Sequence, residues 1–533
     1  MELQVSGLSL SPTWVLAIGS VVLFLLYDYW CRGYWRRRGV ASVPSLPIIG
    51  NLRDFTQGIA SAHVCFAKEH GRVYGFYDVR RPVLVCGDPD MARQVMIKSF
   101  NSFVNRRTTA LCNKEFEDAL RNLKDDHWRD VRNTLTSTFS GAKMKQMSHH
   151  VTVGADRLLR NIENSQRTNG YIECKQLYGS FIMDTIASCA FGLEVDSQGD
   201  QDHPFVAMAT KAFHFTPFNV GLLISGVLPW TSSLLKFFKI FLLPQDAMEF
   251  FRDVTQQTMA MRKAPNKDKQ KRADFLQMMI EAQIGSEGSE GDDDETGHEV
   301  DVHDSVFKGH ESGERSRSMR SKIKLTDSEI IAQAIIFFVA GYDTTGSLLI
   351  YSSYLLALHP DVQEKLITEI DELLPSSNDV DYTTVSKLSY LDNVICETLR
   401  CFPPVVRLDR MCNETFTYNG VTVERGTQVV IPMYAIHHDP ELWPEPEKFD
   451  PNRFTKERRE KRHPFAWIPF GAGPRNCIGM RFALMEAKVA LVRVLQKYRF
   501  ETCLQTKIPV EIGKAGLITP SKGMALRVNQ RIM

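Results

Sequence analysis

"PFGAGPRNCIGM", Pro469 to Met480, sets one cysteine among three glycines with an arginine two places before it. Gly471, Gly473 and Gly479 permit backbone angles and close approaches that residues with a Cβ resist, so the stretch predicts a tight loop aiming N–H groups at the Cys477 sulfur. Such donors favour thiolate over thiol, as does the guanidinium of Arg475. The run "RFALMEAKVALVRVLQKY" that follows has the spacing of an amphipathic helix, whose start adds a favourable dipole. An exposed, unpaired thiolate is either a nucleophile, which wants a histidine partner, or a metal ligand. Cys31 and Cys189, in ordinary apolar contexts, read instead as small hydrophobic residues.

The rest of the composition narrows the setting. A chain of 533 residues, 43% of them hydrophobic, is long enough for one large core or two ordinary ones. A formal net charge of +1 argues against a dedicated nucleic-acid binder. The 11 cysteines are odd in number and lack any C-x-x-C pair or zinc spacing, which excludes a disulfide framework and points to a reducing, cytosol-facing body.

Near the N-terminus no charge occurs between Glu2 and Asp28, and "WVLAIGSVVLFLLY" at Trp14 to Tyr27 with its flanks approaches the roughly 20 residues that cross a bilayer. Arg32, Arg36, Arg37 and Arg38 follow and, by the positive-inside rule, stay in the cytoplasm. A cleaved signal peptide would need a basic first region and a small-residue cleavage site, and neither is present. Residues 1–31 therefore read as an anchor, 32–52 as a basic hinge stiffened by the prolines of "VPSLPIIGN", and 53–533 as the soluble body.

Within that body the pattern is mainly α with a minor β-sheet. "VYGFYDVRRPVLVCGDPD" at Val73 to Asp90 predicts a hairpin, and Tyr418 to Tyr434 predicts another about the Asn419-Gly420 turn. Thr326 to Glu329 form a capping box opening a long buried helix that runs to Pro360. The segment 285–322, acidic and then basic and poor in apolar residues, is expected to be a disordered surface insertion.

The loop that opens this reading resembles the F-x-x-G-x-R-x-C-x-G haem signature of the cytochrome P-450 haem-thiolate enzymes, through Phe470, Gly471, Gly473, Arg475, Cys477 and Gly479. "AGYDTT" at Ala340 to Thr345, "ETLR" at Glu397 to Arg400, "DPNRF" at Asp450 to Phe454 and "WRDVR" at Trp128 to Arg132 match further motifs of that family in the same order. The resemblance covers the chain beyond the anchor. It is closest to the microsomal, drug-metabolising, family 3-like group, through "NRR" at Asn105 to Arg107 and "GPRNCIGMRFALMEAKVAL".

The resemblance implies a cytochrome P-450 fold with an N-terminal transmembrane helix and a haem b whose iron is held by the Cys477 thiolate, an axial ligand that favours O–O cleavage. It implies that Phe470 lies against the haem and that Arg106, Trp128, Arg132, Arg410 and Arg475 gather at the propionates, the arginines through forked hydrogen bonds. Glu397, Arg400 and Arg453 would form a buried ion-pair group serving folding and haem retention. Gly341 would mark a local opening of the helix above the iron, with Thr344 and Asp343 relaying protons to dioxygen.

Val339, Ala340, Val405 and Val406 would line the substrate pocket, and the apolar stretch Phe213 to Trp230 would dip into the membrane. The implied activity is a monooxygenase on the cytosolic face of the endoplasmic reticulum membrane, acting on lipophilic small molecules with O2. Electrons would come from NADPH through a separate cytochrome P-450 reductase, with cytochrome b5 as a further partner, because the chain has no G-x-G-x-x-G unit of its own. Lys448, Lys461 and Arg462 are the basic residues expected to attract the reductase. Two other readings stand beside it: a thromboxane-synthase-like isomerase of lipid peroxides, and a haem-binding sensor without turnover.

Overall fold

The computed structural model describes residues 3–5, 8–10, 12–108, 111–197, 199, 203–213, 220–264, 274–284, 324–376 and 380–531. The insertion expected at 285–322 lies outside the described residues, as do positions 214–219 of the apolar stretch before Trp230.

Helix α1 (Pro12–Arg32) presents Trp14, Leu16, Leu23 and Leu26 to its surroundings, and Asp28 is its one buried residue. Among the described residues it and the long helix Asp327–Leu358 are the two helices long and apolar enough to cross a bilayer, and the second is mostly packed inside the protein. A lone helix with apolar residues on all sides has no core to join and is suited to lipid.

The segment expected to be a hinge is instead fixed to the body. Arg32 pairs with Asp28 at 2.8 Å, and the other Asp28 oxygen accepts from the Ile48 N–H at 3.1 Å. In helix α2 (Tyr34–Arg37), Trp35 is fully buried, and its Nε1 donates to the Phe76 carbonyl at 3.3 Å. A Cβ on Gly75 would lie 2.3 Å from that indole, so glycine is what admits the ring. The prolines stiffen the path without freeing it, and burying a tryptophan repays the ordering of the segment.

Trp35 rests on a four-stranded sheet ordered β1-β2-β4-β3. Its strands are β1 (Val73–Asp78), β2 (Arg81–Cys86), β3 (Leu408–Met411) and β4 (Gln428–Ile431). β1 and β2 form the antiparallel hairpin expected there, with Val73 opposite Cys86, while β2 and β4 run parallel. Asp88 then caps a short helix by accepting from the Met91 N–H at 2.8 Å. The second expected hairpin is only half of what forms. The Asn419-Gly420 turn, at φ 47 and 78, joins Phe416–Tyr418 to Val421–Val423. Gln428–Ile431 leaves for the main sheet because its three consecutive buried residues need cover on both faces.

Helices make up the larger part. They include α3 (Ile59–His70), α4 (Asp125–Thr136), α5 (Gly141–Asn169), α6 (Cys174–Ile186), α7 (Asp327–Leu358), α8 (Ser389–Cys401) and α9 (Met480–Lys497). The capping box at the start of α7 is formed in full, with the Thr326 hydroxyl and the Glu329 carboxylate each accepting the other's backbone N–H. α7 packs against α6 and α9, and α9 against α5, around one continuous apolar cluster.

Within α8, Arg400 grips Glu397 through Nε and Nη2 at 2.8 and 2.9 Å, both residues fully buried, and Arg453 adds a contact at 3.3 Å. Glu397→Gln strands the buried Arg400 charge and should cost about 3–5 kcal/mol. Thermal unfolding and haem content of the purified variant check this; a wild-type melting curve would contradict it.

Deleting residues through Tyr27 should remove the apolar helix yet leave the Asp28 and Trp35 contacts, so haem incorporation should survive. Exposed Trp230, Leu234, Phe237 and Phe238 should leave the truncated chain a residual, salt-sensitive affinity for liposomes in a flotation assay. A truncated chain that cannot take up haem would make the anchor part of the folding unit.

Candidate functional site

The cysteine loop is shaped by two left-handed glycines. Gly471 has φ +74 and Gly473 φ +70, and a Cβ on Gly473 would lie 2.2 Å from the Met96 carbonyl oxygen. The loop closes on itself through Cys477 N–H to the Phe470 carbonyl at 2.8 Å and Asn476 N–H to the Gly473 carbonyl at 3.0 Å. Gly479 is different from what the spacing suggested. Its φ is an ordinary −84, and an added Cβ would meet nothing within 4 Å, so it borders open space beside Cys477. Phe470 is half-buried against the main core.

Cys477 is exposed at the head of α9, yet enclosed deeply enough that burial pushes its thiol up. The Gly479 N–H, Arg132 and Arg106 pull in the opposite direction. The cation expected to serve the sulfur, Arg475, does something else. Its guanidinium donates to the Arg121 and Leu123 carbonyls and lies 4.3 Å from the Trp128 ring centre. Two backbone acceptors and an aromatic face outbid one distant thiolate. Among the described residues no histidine hydrogen-bonds Cys477, and no group of three His, Cys, Asp or Glu could hold a metal ion. A metal bound here would need its remaining ligands from a prosthetic group.

Arg106 and Arg132 stand near the sulfur, and Arg410 and Arg475 stand near Arg106. Arg132 donates to the Asn476 carbonyl and side chain at 3.1 and 2.7 Å, and Arg106 to the Arg475 carbonyl at 3.2 Å. Arg410, fully buried, reaches only the Asp409 carbonyl at 2.8 Å. Buried nitrogens are left without partners: Nε of Arg106, Arg410 and Arg475, and Nη2 of Arg410. Burial pushes Arg475 down to about 8, Arg410 to about 9 and Arg132 to about 10. A guanidinium keeps its proton far above these values in water, so the cluster is built to receive anions.

The carboxylate inside it, Asp409, was not anticipated. It accepts from the Arg107 N–H at 2.8 Å and lies 3.8 Å from Arg121. The signal was present in "RLDR" at Arg407 to Arg410, three charges on a segment flanked by apolar strands.

Helix α7 is buried along most of its length, but at 339–344 Ala340 is exposed and Val339, Asp343 and Thr344 are partly accessible. The helix is continuous through Gly341, so the expected opening is absent. A Cβ there would come within 2.7 Å of Ile186 Cδ1, and close packing of α7 on α6 accounts for the glycine. The Thr344 hydroxyl donates to the Ala340 carbonyl one turn back at 2.7 Å.

Of the other expected pocket residues, Val405 is half-buried, whereas Val406 is 1% exposed and packs with Ala60, Tyr351 and Ile518, away from any lining role. Lys448 and Lys461 are exposed, but Arg462 stacks 3.9 Å over Trp443 and donates to the Arg453 carbonyl, so it is committed to the interior.

The family model described as cytochrome P450 matches residues 41–312 and 311–528 of this chain. Cytochrome P450 3A6 of Oryctolagus cuniculus is 36% identical over 521 residues, and cytochrome P450 3A5 of Homo sapiens 37% over 522, each alignment covering 97% of both chains. Cytochrome P450 3A9 of Rattus norvegicus is 36% identical over 520 residues, again with 97% of each chain covered.

If Cys477 is an axial thiolate, the reduced protein with carbon monoxide should show the red-shifted Soret band of thiolate-ligated haem, and Cys477→Ser should abolish it. Substituting Cys189, buried between helices, should leave the band in place. An unchanged spectrum in Cys477→Ser would move the ligand elsewhere.

Proposed function

The chain belongs to the cytochrome P450 family, a haem-thiolate monooxygenase lineage, and from that premise we propose that it hydroxylates lipophilic compounds at the membrane surface with electrons from a separate reductase. Cys477 would hold the haem iron, the open space beside Gly479 would admit the ring, and Arg106, Arg132, Arg410 and Arg475 would take the propionates. The unpartnered guanidinium nitrogens carry this assignment, since two carboxylates are the anions such a cluster lacks. Bound there, the haem supplies dioxygen activation and insertion of one oxygen atom, the other leaving as water.

The chain's own contribution is positional and protic. Thr344 places a hydroxyl on the accessible face of α7, held toward the Ala340 carbonyl, and Asp343 beside it would resupply the proton that hydroxyl passes on. Val339, Ala340 and Val405 offer apolar surface to a substrate. Electrons would come from NADPH through the cytochrome P-450 reductase, with cytochrome b5 as second donor, at the face where exposed Lys448 and Lys461 supply positive charge. α1 would fix the body to the cytosolic face of the endoplasmic reticulum membrane, its arginines inside.

Thr344 also separates oxygenation from peroxide rearrangement, because only the former consumes protons. Thr344→Ala should still bind haem and oxidise NADPH, but divert oxygen to hydrogen peroxide and lose product, by about 10²-fold or less. Peroxide-supported turnover should suffer less. Product per NADPH equal to wild type would end the relay role, and a wild type that converts peroxides but never consumes NADPH with a competent reductase would make the enzyme an isomerase.

A further inference from the structure

Arg407 is a half-buried cation that the haem site does not use. Val405 and Arg407 are half-buried on either side of fully buried Val406, and this alternation turns both toward the accessible side. Arg407 lies against His63 and Phe76, both buried, and against half-buried Phe55, so its accessible edge borders the interior of the fold.

Its one hydrogen bond among the described residues runs from Nη1 to His63 Nε2 at 3.2 Å. That acceptor is uncharged: His63 is buried, its Nδ1 shares a 2.8 Å bond with the Tyr74 hydroxyl, and burial holds it well below the usual histidine range. A neutral imidazole orients a guanidinium but does not neutralise it.

The carboxylates nearby are already engaged. Asp78 pairs with Arg107, and Asp409 serves the Arg107 backbone and Arg121. Arg106, Arg107, Arg121, Arg407 and Arg410 thus share Asp78 and Asp409, and even two propionates leave a positive charge over. Nε and Nη2 of Arg407 have no protein partner and are not enclosed, so they face open space. These two nitrogens form the side-on edge of a guanidinium, whose parallel N–H bonds match the two oxygens of a carboxylate. Phe55 and Phe76 flank it, their ring centres 5.5 and 6.0 Å from the guanidinium carbon.

We infer that Arg407 is the specificity-determining residue for a substrate carboxylate: the lipophilic compound carries an acid group that docks on the free edge of Arg407, with its adjoining carbons against the half-buried Phe55. The inference rests on the monooxygenase reading and adds a substrate class to it. His63 and Tyr74 are positioning residues, holding the fork so that little side-chain freedom remains to be lost on binding.

The test compares dodecanoic acid with its methyl ester, which have the same chain but only one of which is charged. Equilibrium dialysis with purified holoenzyme should show the acid bound about 10-fold or more tighter, the scale of one charge-assisted bidentate contact. Arg407→Gln should bring acid and ester within about twofold of each other, and Arg407→Lys, which keeps the charge but not the fork, should retain part of the preference. Haem content should match wild type in both variants.

Equal binding of acid and ester by wild type overturns the inference, as does haem loss in Arg407→Gln, which would place Arg407 among the propionate cations. Acid preference that depends on Arg407, together with no oxygenated product from reductase-driven turnover, would support the anchor and overturn the monooxygenase reading instead.

Discussion

Four guanidinium groups held out of water without a carboxylate for each are the constraint around which this protein is arranged. Taking one charge from water into a protein interior costs several kcal/mol even after relaxation, on the order of what a whole domain has to spare. Arg106, Arg132, Arg410 and Arg475 all find carbonyl oxygens for some of their protons, and Arg106, Arg410 and Arg475 leave buried nitrogens unmatched. A fold that tolerates this must gain the missing stabilisation from something it binds, by mass action on the native state. That is the thermodynamic sense in which haem belongs to the fold, and it ties the stability of the arginine cluster to occupancy of the cysteine loop.

The loop in turn hangs from the buried ion pair of α8. Arg400 Nη1 donates to the His437 carbonyl at 3.1 Å, and His437 Nε2 accepts the Ile468 N–H at 3.0 Å. Burial keeps His437 neutral, which leaves that nitrogen free to accept. The Ile468 carbonyl then takes the Gly471 N–H at 2.9 Å, and Phe470 takes that of Cys477. Each bond is ordinary, about 1 kcal/mol net. Strung together they connect Glu397, some eighty residues earlier in sequence, to the position of the sulfur. The spacing of "ETLR" is therefore intelligible without any chemical role for Glu397.

What the sequence discloses and what it withholds divide along the same line. The glycines of the loop, the Thr326 capping box and the Asn419-Gly420 turn are legible because each is decided within a few residues. The docking of Trp35 under Gly75, the burial of Val406, the stacking of Arg462 on Trp443 and the orientation of Arg475 are not, since each depends on a partner far away in the chain. The same limit explains Gly341. A glycine in a helix signals either a break or a close neighbour, and only the position of Ile186 across the α6 contact decides between them. Asp409 and Arg407 escaped for a related reason: "RLDR" looks like a solvated run until β3 is placed inside the protein.

Three groups of residues in this chain differ in character. One carries the sulfur and the arginines, one is the partly accessible 339–344 segment of α7, and one is the Val405–Arg407 edge with its aromatic flank. On the proposed function the first would fix a dianion and the second would offer a hydroxyl beside apolar surface, and neither would distinguish one lipophile from another by more than the roughly 25 cal/mol per Å2 of buried apolar area. A charge held in the third group would distinguish them, because an acid that reaches it loses water on one side only to regain two directed hydrogen bonds, while a neutral molecule leaves the guanidinium edge unsatisfied. Selectivity in such a site therefore comes from the polar group that is left over once the cofactor's needs are met, and in this chain that group is on the strand entry beside the haem cations.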